Sequence, residues 1–270
     1  MIRFLIVFAM MVSPSFMMAQ ASGGQIRRGA QQATAQHRTS TPNNRKLASN
    51  EVLLEDGKTI IKFETSKAVD LGLPSGTIWA GYNIGANSPK EAGDYYAWGE
   101  IDNKENYSSA DYFDIDKTAT GVGVAKFKKY SNNGMMSIIG TDRDVAQAKW
   151  GKPWRMPSKA QIDELINHCS VYRVKCKGEN KSFVLFKGPN GRSLLFPYSG
   201  MKQGGFLYEG LGVYCWSGEI KPSSDYSHSA FCLHASISNV YSLNQELKSS
   251  ISSEFRWYGL NVRAVKSNRH

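Results

Sequence analysis

Four cysteines, Cys169, Cys176, Cys215 and Cys232, are the side chains best suited to covalent chemistry. An even number favours disulfides in a chain that leaves the reducing cytosol, and four thiols allow three pairings. The expected pairs are Cys169–Cys176, closing a helix end onto the next segment, and Cys215–Cys232, linking neighbouring strands. His228, Cys232 and His234 carry zinc-capable atoms, and positions 232 and 234 share a strand face. No Cys-x-x-Cys pair or His-Glu-x-x-His run accompanies them, so no metal is assigned. Asp111, Asp114 and Asp116 form an acidic cluster with oxygens that suit calcium. Their spacing is not that of an EF-hand loop, and a solvated acidic loop is the simpler reading. The chain has no P-loop, dinucleotide fingerprint or nucleophile elbow, and no motif fixes a Cys–His pair in space. No catalytic residue and no cofactor are assigned.

Recognition fits the remaining pattern better. Between 216 and 257, Trp216, Tyr226, His228, His234, Asn239, Tyr241, Asn244, Arg256 and Trp257 mix flat rings with hydrogen-bonding groups. Such side chains stack on sugars or anchor peptides with little entropy lost on ordering. About half of the rings are expected to fill the core, leaving three or four at the surface to meet a ligand.

Something must carry these residues out of the cytosol and hold them in place. Arg3, the apolar run Phe4–Val12 and the small-x-small triplet Ala19-Gln20-Ala21 read as a signal peptide over residues 1–21. Ser13 and Pro14 stop the run short of a bilayer span, and no later segment is apolar enough to cross one. Residues 22–50 hold Gln, Ser, Thr, Asn and five cations but no acid, a composition that cannot build a core and reads as a disordered basic linker. Those cations and Arg3 supply more than half of the net charge of +10. Nucleic-acid binding asks for a concentrated basic face rather than a charged tail, and is not expected.

The 270 residues are 41% hydrophobic, which excludes a wholly disordered chain and leaves enough apolar side chains for a core after position 50. Val52–Phe63 alternates around Asp56-Gly57 and predicts a hairpin within 51–64. Residues 81–150 read as long loops with short strands. Ser158 and Gln161 form a capping box ahead of Ile162, Leu165, Ile166 and Cys169, predicting one main helix over about 158–169. A second hairpin turns at Gly188-Pro189-Asn190-Gly191, and strands are expected over 213–217, 230–237 and 258–265. One helix against several antiparallel strands makes the class α+β.

Four stretches carry a family resemblance: VDLGLPSGTIWA (69–80), AGDYYAWGE (92–100), WGKPWRMPSKAQIDEL (150–165) and RWYGLNVRAV (256–265). In this order they resemble the bacterial major paralogous domain family of exported proteins (FISUMP), over residues 65–266. Arg155-Met156-Pro157-Ser158-x-x-Gln161 also resembles the helix start of formylglycine-generating-type domains. Both resemblances imply a C-type-lectin-like fold, in which an early strand returns to pair with the last and long loops lie over a small sheet. They also imply that the 216–257 region forms the recognition face. Trp216-Ser217-Gly218 departs from the usual tryptophan-serine-serine, and Ala264 replaces a proline. The expectation is an exported, non-catalytic module that binds glycan or protein outside the cell. A structural component of the cell envelope is the alternative. A formylglycine-generating-type enzyme, which needs a redox-active cysteine pair, comes third.

Overall fold

The computed structural model describes residues 46–54, 56–115, 136–176, 178–222, 228–237 and 247–267, all within the compact unit Pro42–His270. The expected signal peptide and most of the linker lie outside these residues. Strands β1 (Glu51–Leu53) and β2 (Ile60–Lys62) form the expected hairpin, with Val52 opposite Ile61. Asp56 closes its turn by accepting from the backbone N–H groups of Lys58 and Thr59.

The two ends of the resembling region meet. β3 (Ala68–Asp70) pairs with β4 (Thr77–Ala80), and the final strand β13 (Val265–Ser267) takes the other edge of β4, setting Val265 opposite Trp79. Between them come α1 (Val145–Trp150), α2 (Lys159–His168) and the antiparallel sheet β5 (Ser170–Lys175), β6 (Ser182–Lys187), β7 (Ser193–Pro197). A hairpin, β8 (Met201–Gln203) and β9 (Phe206–Tyr208), follows. The last sheet is β10 (Val213–Ile220), β11 (Ser229–Ile237) and β12 (Leu247–Phe255), in that order. Small antiparallel sheets therefore dominate, with two α-helices among the described residues, and the class is α+β. None of the described helices is long and apolar enough to cross a membrane.

Local signals explain where α2 starts. The Ser158 hydroxyl accepts from the Gln161 N–H, and the Gln161 side chain accepts from the Ser158 N–H. Its buried face, Ile162 and Leu165, packs on Trp79, Phe196, Cys215 and Leu233. The short helix α1 lies where the sequence predicts loop. Its cap is Asp144, fully buried, which accepts from the N–H groups of Gly140, Ala146, Gln147 and Met156 and so ties a loop, a helix start and the approach to α2 together. Strand β12 carries no strand signal in its sequence, because Ser249, Ser250, Ser252 and Ser253 break any apolar alternation. Tertiary pairing with β11 makes it a strand. The stretch 258–264, expected as continuous strand, instead makes single bridges from Gly259 to Lys202 and from Leu260 to Tyr96.

All four cysteines are free, which overturns both expected disulfides. Cys215 lies opposite Leu233 and Cys232 lies opposite Trp216, so the two thiols project from opposite faces of one sheet. Cys169 and Cys176 bracket the whole of β5, which at ~3.3 Å per residue separates their Cα atoms by about 23 Å, far beyond disulfide reach. Burial pushes the Cys169 and Cys215 thiols up to about 12 and Cys176 to about 11, which keeps them protonated at neutral pH.

Candidate functional site

Three segments converge on an open cleft. The first is the β8–β9 hairpin, whose Gly204-Gly205 loop sets Gln203 opposite Phe206 and Met201 opposite Tyr208. Alternation then turns Met201, Gln203, Phe206 and Tyr208 to one face and Lys202 to the other. The hairpin is fastened at two points. Lys202 and Gly259 exchange backbone hydrogen bonds of 2.8 and 2.9 Å, and Tyr107 and Gly204 exchange two of 2.8 Å. Gly259 is required there, since a Cβ would stand 2.7 Å from the Tyr107 ring.

The second segment is the turn Phe255–Tyr258, closed by the Tyr258 N–H donating to Phe255 O. Phe255 and Trp257 stack in parallel at 4.6 Å, and Tyr258 meets both rings edge-on. Beneath this turn the Arg256 guanidinium is fully buried and donates to Asp114 Oδ2 at 2.9 Å. Its cation lies 5.6 Å from the Trp98 ring and 5.7 Å from the Tyr112 ring. The third segment is Tyr107–Ser109, leading into a 3-10 turn at Ser109–Asp111. Tyr107 is buried, its hydroxyl donating to Tyr95 O at 2.5 Å. Asp114 belongs to this same loop, so the Arg256–Asp114 pair joins two walls of the cleft.

The cleft has a volume of about 360 Å³ and is lined by Tyr107, Ser108, Ser109, Gln203, Gly204, Phe206, Tyr208, Trp257 and Tyr258. Phe206 is 73% exposed and Tyr208 42% exposed, where apolar side chains normally withdraw from water. The Gln203 amide donates to the Tyr258 hydroxyl at 2.7 Å. Burial, with smaller effects from Glu254 and Tyr208, raises Tyr258 above its ordinary range, so its phenol is neutral at physiological pH.

Comparison with family models, curated proteins and solved structures finds no match to this chain. The site is therefore read from its geometry alone.

Of the residues expected to bind a ligand, Trp257 lines the cleft and His228 meets it edge-on at 6.4 Å. Trp216 does not belong there. It is fully buried, its indole N–H donating to Tyr96 O at 2.7 Å, and with the Trp98 N–H to Ser217 O it staples the long loop onto β10. Arg256 is likewise a buried strut rather than a contact residue. His234 is half-buried and stacks on Tyr214 at 4.5 Å, and its buried Nε2 has no hydrogen-bond partner among the described residues. Burial lowers the pKa of His234, while burial and then Arg256 lower that of His228. Tyr226, Asn239, Tyr241 and Asn244 lie outside the described residues.

The acidic cluster is corrected too. Asp114 is buried against Arg256 rather than solvated, and Asp111 accepts from the Ser108 hydroxyl at 2.8 Å and from the Asn106 amide. Asp116 lies outside the described residues, among which no group of three potential metal ligands occurs. Sequence reading missed Tyr107, Gln203, Phe206, Tyr208 and Tyr258 as site residues. One signal was present: Phe206-x-Tyr208 after Gly204-Gly205 spells a hairpin with two rings on one face.

Proposed function

We propose that this chain is an exported, non-catalytic recognition module that holds a glycan or protein ligand in the aromatic cleft. One observation carries the reading: exposed Phe206 and Tyr208 stand across from Trp257 and Tyr258, with amide and hydroxyl groups between them. Rings of this kind offer large contact area at small entropic cost, and the groups between them supply direction. Export rests on the signal-peptide pattern of residues 1–21. The C-type-lectin-like architecture of the major paralogous domain family is part of the proposal, supported by β13 closing onto β4 and by the loops laid over β10.

The enzyme alternative loses its support at one point. A redox-active pair cannot be built from Cys215 and Cys232, which point away from each other and are buried. The test is an array of immobilised glycans and extracellular proteins probed with the wild-type chain and with Tyr208→Ala and Trp257→Ala. Ligands held by wild type and lost by both variants are the expected result. Binding that neither substitution disturbs would overturn the site.

A further inference from the structure

Resting on that reading, we infer that the ligand of the cleft is a neutral saccharide chain. None of the nine described residues that line it carries a formal charge. Five contribute rings or ring edges, and the others are two serines, a glutamine and a glycine. A pyranose ring has the complementary surface: C–H faces that stack on aromatics and a rim of hydroxyls that donate and accept.

The polar groups have capacity to spare. Gln203 uses one amide N–H on Tyr258, and its carbonyl and second N–H make no hydrogen bond among the described residues. The Ser109 hydroxyl likewise makes none there. Among the described residues no charged side chain lines the cleft itself. Lys202 lies on the opposite face of β8, its ammonium over the Tyr95 and Tyr107 rings at 5.2 and 5.7 Å. Lys104 is paired with Glu100 at 2.8 Å. The carboxylate behind Ser108 is that of Asp111, which repels an anionic ligand. Phosphate, sulfate or uronate groups thus find no free cation among the lining residues.

A protein partner fits less well. The centre of a protein interface is closely packed and largely dry, and covering this cleft with apolar side chains would strand the Gln203 carbonyl, its second N–H and the Ser109 hydroxyl without partners. A hydroxyl-dense ligand satisfies each of them. The volume, about 360 Å³, lies at the lower end for small-ligand sites, and the cleft is open to solvent.

The experiment titrates the full chain with neutral hexasaccharides (cello-, xylo-, manno- and N-acetylchitohexaose) and with anionic ones (oligogalacturonate and a heparin fragment), followed by calorimetry and tryptophan fluorescence. At least one neutral probe is expected to bind. Tyr208→Ala and Trp257→Ala should each weaken it about tenfold while leaving the circular dichroism spectrum unchanged. Tighter binding of the anionic probes, or no binding of any neutral probe at millimolar concentration, overturns the neutral-saccharide assignment. If, in the latter case, a protein is retained by wild type and lost by Trp257→Ala, the cleft stands as a recognition site and only the ligand class fails. Saccharide binding left intact by both substitutions overturns the cleft itself.

Discussion

Replacing Arg256 with Met leaves a side chain of similar length and removes the cation that Asp114 faces. Arg256 is 0% exposed and Asp114 1% exposed, with nitrogen and oxygen 2.9 Å apart, so solvent screens the pair very little. Deleting one partner of such a pair strands a buried charge and costs about 3–5 kcal/mol, against less than about 1 kcal/mol for a surface pair. For a folded unit of this size each kcal/mol moves the melting temperature by roughly 2–4 °C, so Arg256→Met should melt about 6–20 °C below wild type. Asp114→Leu should lose a comparable amount. The double variant Arg256→Met/Asp114→Leu, which removes both charges, should recover much of the loss, because replacing both ions with apolar groups is close to neutral. The assay is urea unfolding followed by tryptophan fluorescence, which gives a free energy for each corner of the cycle. Single losses below about 1 kcal/mol, or a double variant as unstable as the two singles summed, would show that the ions are not coupled and that the two cleft walls are held by something else.

Thiol titration of the native protein should find no rapidly reacting cysteine, whereas denatured protein should show four without added reductant. Two thiols or none after denaturation would restore a disulfide. Asp144→Ala should destabilise by about 2–4 kcal/mol in the same unfolding assay, since it removes a helix cap and leaves buried N–H groups of Gly140 and Met156 unsatisfied. A change under about 0.5 kcal/mol, the range for a surface substitution, would refute that role. His234 and His228 have folded-state pKa values below the unfolded value of about 6.5, so protonation favours the unfolded chain. Their contribution to stability should therefore be intact above pH 6.5 and fall as the pH drops below it. It should level off once the folded-state values are passed. His234→Phe should flatten the slope of stability against pH over that window, and an unchanged slope would refute the account of its burial.

Much of this architecture is written in short-range pattern. The capping box at Ser158 and Gln161, the turn at Asp56-Gly57 and the Gly188–Gly191 turn between β6 and β7 depend on neighbours within a few residues, and the structure has each where the pattern puts it. Composition alone also indicated an apolar core after position 50. Tertiary pairing decided the rest. Nothing local distinguishes Trp216, which is buried with its indole N–H donating to Tyr96 O, from Trp257, which lines a cleft, because burial depends on which distant segments pack over each ring. Whether two cysteines on adjacent strands can meet turns on register, and a single residue of offset sends Cys215 and Cys232 to opposite faces. Serine-rich β12 becomes a strand because β11 offers it a ladder, and Arg256 becomes a strut because Asp114, 142 residues away in sequence, supplies the opposite charge. Chain segments specify their own turns and caps, while burial, register and ion pairing belong to pairs of segments and exist only once those segments have been brought together.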